Sequence, residues 1–249
     1  MTTLHDVLTA PLEIRTPIAA GPLLLFPVFT AATAAPPYVC GPQVEADNLL
    51  QVREKEDGAD VPELVLTHGA GLPLLLLEGE TMLGAKQTRT LNVTVLCPPD
   101  VPATLPVSCV EAGRWGAARP TGRSPNIAPS GLRAAKTRSV GDSVRARAAR
   151  FSNQGEVWRH VGAYSDRHAS PSPTAALEDV AHAIGPQIDA LVAELRPADG
   201  QRGVVVAAGG HIVSLASSTS PRRSPSTGTG SWPATPSRPS GPRRPRCRR

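Results

Sequence analysis

The chain has 249 residues, with 26 Lys plus Arg against 21 Asp plus Glu, four Cys, 27 Pro and only 3% aromatics. That length supplies one large domain or two small ones with a buried core, and without a glycine period, heptad texture or paired cysteines it excludes collagen, coiled-coil and disulfide-scaffold classes. Ser217 to Arg249 hold eight Arg and no acid, so the remainder carries 18 basic and 21 acidic residues, a net of −3. The basicity therefore belongs to the tail, and the overall charge does not make the whole chain a nucleic-acid binder.

Between Arg15 and Glu45 the sequence is free of charge. Prolines at 17, 22 and 27 interrupt it, and no run reaches the roughly 18 to 20 apolar residues needed to cross a bilayer. His5, Asp6 and Glu13 precede Arg15, which is not the basic start of a secretion signal. The expectation is a buried strand over Leu23 to Val28 in a cytoplasmic protein. Cys40, Cys97, Cys109 and Cys247 form no CxxC pair, which suits a reducing compartment.

Residues 43–52 read as a short helix running into a strand. Short apolar runs follow at Glu63 to Thr67, Leu74 to Glu78, Thr90 to Leu96 and Thr104 to Val110, separated by turn residues, and their close spacing favours antiparallel pairing. Leu91, Val93 and Val95 alternate with Asn92 and Thr94, the period of a strand with one buried face. Residues 116–150 hold eight basic residues and one acid, Asp142, and composition predicts a mobile loop there. Phe151 to Val161 returns to a packable pattern; Asn153 to Trp158 joins the polar cluster described below if this segment packs nearby, and the bland alternative is a turn entering a strand. Apolar residues at 177, 180, 181, 184, 188, 191 and 195 keep one helical stripe, with Gly185-Pro186 predicted to kink it. Gly203 to Ala208 and His211 to Leu215 read as a closing hairpin turned by Gly209-Gly210. The predicted fold is a single α+β domain over 4–215, rich in antiparallel or sandwich-like sheet, with one kinked amphipathic helix and a disordered basic tail over 216–249.

The tail has a second reading. Ser, Thr, Pro, Gly and Arg make up 30 of the last 33 residues. If Ala216 is written GCC and an A was lost after its G, permitted codons for Ser217 to Arg222 restore Leu-Phe-Asp-Leu-Ala-Ala. The same offset through Pro225 to Pro236 permits Glu-His-Trp-Asp-Arg-Leu-Val-Ala-Gly-Tyr-Ala. The restored text regains the apolar period that the printed frame lacks, so a frameshift is the hypothesis and resequencing the locus is its test.

The densest polar stretch is Glu78 to Asn92. Glu78 and Glu80 lie two apart, so in one strand they share a face, where repulsion raises one pKa for acid or base work. Lys86 and Arg89 follow as cationic donors for a phosphate or carboxylate, with Gln87 between them. The bland alternative is a solvated strand edge whose charges neutralise one another. Cys109 shares parity with Leu105 and Val107, which makes it a buried apolar residue rather than a nucleophile. Glu111 and Arg114 leave that strand and either pair with each other or meet Lys86 and Glu80. Trp115 reads as a packing anchor, and His68 as a turn residue or a ligand. The remaining histidines lack metal-site spacing, so no metal is assigned, and no cofactor motif is present.

At these residues the chain resembles a bacterial family, the ADP-ribosylglycohydrolase (ARG) and rhodanese-phosphatase-superfamily-associated domain. The matching text is Val61-Pro62-Glu63-Leu64, Leu77-Glu78-Gly79-Glu80, Gly84 to Asn92, Pro106 to Trp115 and Asn153 to Trp158. The family's members resemble one another through a C-terminal Asp-Leu-Phe and Trp-containing helix, absent from the printed frame and present in the restored one. The resemblance implies company with enzymes that process ADP-ribose and phosphate esters, and no established reaction. By that association Glu78, Glu80 and Glu111 become candidate catalytic carboxylates, and Lys86, Gln87, Arg89 and Arg114 candidate ligand-binding residues.

Three functions follow as expectations. The first is a site for a nucleotide or ADP-ribose-like small molecule. The second is a non-catalytic interaction module in which the same charges form a structural network. The third, ranked last, is nucleic-acid binding through the tail and the 116–150 segment, which would weaken steeply with salt.

Overall fold

The computed structural model describes residues 11–30, 38–55, 62–114, 119–147, 149–193 and 195–217. Trp115 and the tail from 218 onward, with the frame question attached to it, lie outside them. The described residues form an α+β fold of three antiparallel-dominated sheets and four helices, two more than the short helix near 43 and the amphipathic helix from 177 that were expected.

The central element is a six-stranded sheet in the order β12-β8-β9-β11-β6-β5, from β5 (Leu50–Glu54), β6 (Glu63–His68), β8 (Glu80–Ala85), β9 (Arg89–Leu91), β11 (Ala103–Cys109) and β12 (Arg119–Ile127). In β6 burial alternates residue by residue, with Leu64, Leu66 and His68 turned inward, the period that a strand with one packed face requires. The sheet curls until its two ends approach: Thr121 Oγ1 of β12 donates to Val52 O of β5 at 2.7 Å. The inward residues Val52, Leu64, Leu66, Met82, Leu91, Leu105 and Val107 form one core. Leu74, Leu76 and Cys97 join it from the small sheet β10-β7-β4, made of β4 (Val39–Cys40), β7 (Leu74–Leu76) and β10 (Val95–Cys97). Gly84 is obligatory in this closure. Its φ is +80°, and a Cβ there would fall 1.9 Å from Pro120 O of the neighbouring strand.

The predicted continuous strand over Thr90 to Leu96 is instead divided between β9 and β10, which belong to different sheets. Asn92 marks the break: its amide donates to Pro106 O, and its side chain binds Ser108 and Arg150 O.

Where composition predicted a mobile loop over 116–150, the chain forms β12 and helix α2 (Ser130–Arg147). Composition counted the basic residues as solvated. Here Arg123, Arg133 and Lys136 each face a carboxylate, while Ala128, Leu132, Ala135 and Val140 are buried. Residues 151–161 likewise enter a helix, α3 (Gln154–Arg167), rather than a strand. Asn153 caps it by accepting from Glu156 N at 3.1 Å. The apolar stripe predicted from 177 becomes α4 (Leu177–Ala193), with Pro186 inside it. Val110, Ala128, Leu132, Val157, Val161 and Leu177 make a second core beneath these helices. A short α1 (Gly41–Ala46) leads into β5.

The terminal strands make a third sheet. β1 (Leu12–Ile14), β3 (Leu23–Thr30), β13 (Gly203–Ala208) and β14 (His211–Ser217) follow in that order, and β2 (Ile18–Ala20) also pairs with β3. The expected strand at Leu23 to Val28 and the closing hairpin are both present here. No described helix is long and apolar enough to cross a membrane.

Candidate functional site

The predicted residues divide into three clusters. The first brings the Glu111–Arg114 stretch against Gly84 to Thr88, and of the two outcomes left open Glu111 and Arg114 pair with each other rather than with Lys86 and Glu80. Arg114 lies against Glu111 in a two-pronged pair, Nε to Oε1 at 2.8 Å and Nη2 to Oε2 at 2.7 Å. Its Nη1 donates to Ala85 O at 2.9 Å, and Nη2 also reaches Gly84 O at 3.2 Å. Glu111 accepts further bonds from Thr88 N and Thr174 Oγ1, and Gln87 Nε2 donates to Glu111 O. Burial pushes the Glu111 carboxyl up, but the Arg114 and Thr88 bonds outweigh it and hold its pKa at about 2. Both Glu111 carboxylate oxygens accept two hydrogen bonds each, and four of the five Arg114 N–H groups have acceptors within the protein.

The second cluster centres on Glu78, which lies in the turn before β8 rather than on the same strand as Glu80. The expected repulsion between the two is replaced by separate cationic partners. Glu78 Oε2 accepts from Arg133 Nε at 2.7 Å, and Lys136 Nζ stands 3.0 Å from Oε1. Lys136 is wholly buried and also donates to Leu91 O. Burial pulls its pKa down, partly opposed by Glu78. Sequence reasoning missed Lys136, although it occupies an apolar stripe position between Leu132 and Val140 on α2, a usable signal.

The third cluster lies on the inner face of the curled sheet. Register pairs Arg123 with Met82, Met82 with Arg89, and Arg89 with Cys109, so these four side chains form one row across four strands. Arg89 is fully buried, and its Nη1 donates to Glu54 Oε2 at 2.7 Å. Its Nε and Nη2 are buried without an acceptor. Glu54 was missed; its parity with the buried Val52 was the available signal. Glu54 Oε1 also accepts Lys86 N at 3.1 Å. The half-buried Lys86 ammonium has no ion-pair partner among the described residues. Glu80 accepts from Leu77 N and faces Arg123 at 3.5 Å, and Arg123 in turn stands 3.5 Å from Glu45. Burial raises the Glu80 pKa, with the Leu77 amide and Arg123 opposing and Glu45 reinforcing.

His68 is buried and its Nε2 meets Cys97 O at 3.1 Å. Among the described residues no three His, Cys, Asp or Glu side chains gather as a metal site. Burial pushes the Cys97 thiol up to about 11 and raises that of Cys109, although Arg89 opposes the latter. At pH 8 an alkylating reagent should therefore label half-buried Cys40 well before Cys97 and Cys109, which react only once denaturant is added. Peptide mass spectrometry reads the order, and fast native labelling of Cys109 would reinstate it as a nucleophile.

The model of the ARG and Rhodanese-Phosphatase-superfamily-associated Protein domain, ARPP-1, matches residues 11–222. The chain belongs to the ARPP-1 family. No curated protein and no solved structure matches it. In this ARPP-1 chain the matched span takes in all three charge clusters, including Glu54 and Lys136, which the motif text did not reveal.

Proposed function

We propose that the ARPP-1 chain binds an anionic small molecule of the nucleotide or ADP-ribose class, with Arg89 and Lys86 as its cationic donors. The observation that carries this reading is the pair of buried Arg89 nitrogens, Nε and Nη2, without an acceptor. Buried donors are rarely left unpaired, and a guanidinium fork matches the oxygens of a phosphate. Arg123 lies in the same row, but its Nε faces Glu45 Oε2 at 3.5 Å and its Nη1 faces Glu80, so the reading rests on Arg89. The choice of nucleotide class rests on the family's description, which associates it with ARG and rhodanese-phosphatase superfamilies.

Of the three candidate carboxylates, Glu80 is the one suited to carrying a proton, because its proton affinity is raised. Glu111 is held ionised by Arg114, and Glu78 is taken up by two cations. Those two are assigned structural work, which keeps the second reading, a non-catalytic module, alive for that half of the residue set.

Calorimetry on the full chain with ADP-ribose, AMP and inorganic phosphate tests the proposal. Binding is expected, weakened about tenfold, or about 1.4 kcal/mol, in Lys86→Ala. Glu111→Gln is a control expected to alter stability and leave affinity within about twofold wherever the protein stays folded. No heat with any of the three ligands on folded protein removes the ligand reading and leaves the interaction module.

A further inference from the structure

We infer that the cavity between β12, α3 and α4 is a binding site for a small primary amine whose apolar body is one ring in size. The cavity has a volume of about 190 Å³ and is walled by Ile127 of β12 and by Leu177, Ile184 and Ile188 of α4. Ile127 and Ile188 are both 45% exposed, so one side of the wall meets solvent and leaves an entry. The cavity is separate from the Arg89 row. Successive strand residues turn to opposite faces, so Thr81, which lines the cavity, points away from the face of β8 and β9 that carries Met82 and Arg89.

Three polar side chains line the same space, and each keeps an oxygen without a partner among the described residues. Glu178 is anchored through Oε1 alone, which accepts from Ser124 Oγ at 2.7 Å and from Asn126 Nδ2 at 2.8 Å. Ser124 Oγ is itself held by Asn126 N at 3.0 Å. Both donors to the carboxylate are neutral, Oε2 is open, and no described Lys, Arg or His forms an ion pair with it. An uncompensated charge beside an apolar wall is costly, and a ligand cation removes that cost. The other two open oxygens are the hydroxyls of Thr81, only 2% exposed, and of half-buried Tyr164. A buried hydroxyl is rarely left unpaired, and an ammonium brings three N–H donors and no acceptor. Burial raises the Tyr164 pKa and Arg167 opposes it, but Arg167 is exposed and its charge is screened by water. The volume sets the size of the ligand: an apolar cavity of about 150 Å³ takes one benzene ring, so this one adds room for a short amine arm.

Calorimetry of the full chain with phenethylamine at neutral pH should give a dissociation constant of about 1 mM or tighter. Its neutral and anionic counterparts, 2-phenylethanol and phenylacetate, should each bind about tenfold more weakly or not at all. Glu178→Gln keeps an oxygen for Ser124 and Asn126, and should weaken the amine about tenfold while leaving the alcohol within about twofold. Ala181→Leu pushes extra carbons into the cavity from α4 and should abolish binding of both, and it serves if Glu178→Gln fails to fold. No heat with the amine at about 10 mM on folded natural chain, phenylacetate binding as tightly as the amine, or amine affinity unchanged in the folded variants would each overturn the inference.

Discussion

Replacing Glu78 by Ala should destabilise the fold by about 3 to 5 kcal/mol, whereas Lys136→Met should cost less than about 1.5 kcal/mol. The asymmetry follows from what each change leaves behind. Without Glu78, the buried Lys136 ammonium keeps Arg133 as a neighbour and loses its only carboxylate partner among the described residues. Without Lys136, Glu78 retains Arg133 at 2.7 Å, and Leu91 O retains the Gly79 amide at 3.0 Å. Methionine fills nearly the same volume and has no charge to bury. Urea denaturation of the two variants measures both quantities. Equal losses would mean that Lys136 is not the residue that makes Glu78 indispensable.

Arg114→Ala should cost a comparable amount, about 3 to 5 kcal/mol, because it strips Glu111 of its counter-ion and leaves Ala85 O without that donor. The effect carries a pH signature. Glu111 is held at about 2 in the folded chain against an ordinary 4.5, so the folded state binds fewer protons between those values. Its contribution is fully present above about pH 4.5 and is lost as pH falls toward about 2. Melting temperatures of the natural chain and Arg114→Ala from pH 7 down to 3 should therefore converge as acid is added. Parallel curves would show that Arg114 stabilises through its carbonyl bonds alone. The same substitution is not expected to abolish ligand binding in protein that remains folded, which separates this buried pair from the Arg89 row.

Local pattern carried a good part of the architecture. The short apolar run at Glu63 to Thr67 became β6, and the Gly209-Gly210 turn produced the closing hairpin. The stripe from Leu177 produced α4. These are legible because each depends on side chains a few residues apart, and burial of one face enforces the period directly. Asn153 to Trp158 was legible as a packed segment but not as a helix. Its Gln154 is fixed by a distant backbone, accepting from Cys109 N and donating to Cys109 O.

The sequence by itself determined the β-rich α+β class, the antiparallel pairing and the motif text that marks the ARPP-1 family. It left open whether Glu111 and Arg114 would pair with each other or meet Lys86 and Glu80, and the fold pairs them with each other against Thr88 N and Gln87. Only the tertiary structure decided which cation meets which acid. Lys136 comes to Glu78 from a segment whose composition reads as solvated, and Glu54 comes to Arg89 from the other end of a curled sheet. A charged residue's neighbours within the chain cannot reveal whether it ends in water or in a core. That outcome depends on contacts across dozens of residues, and these exist only once the sheet has closed.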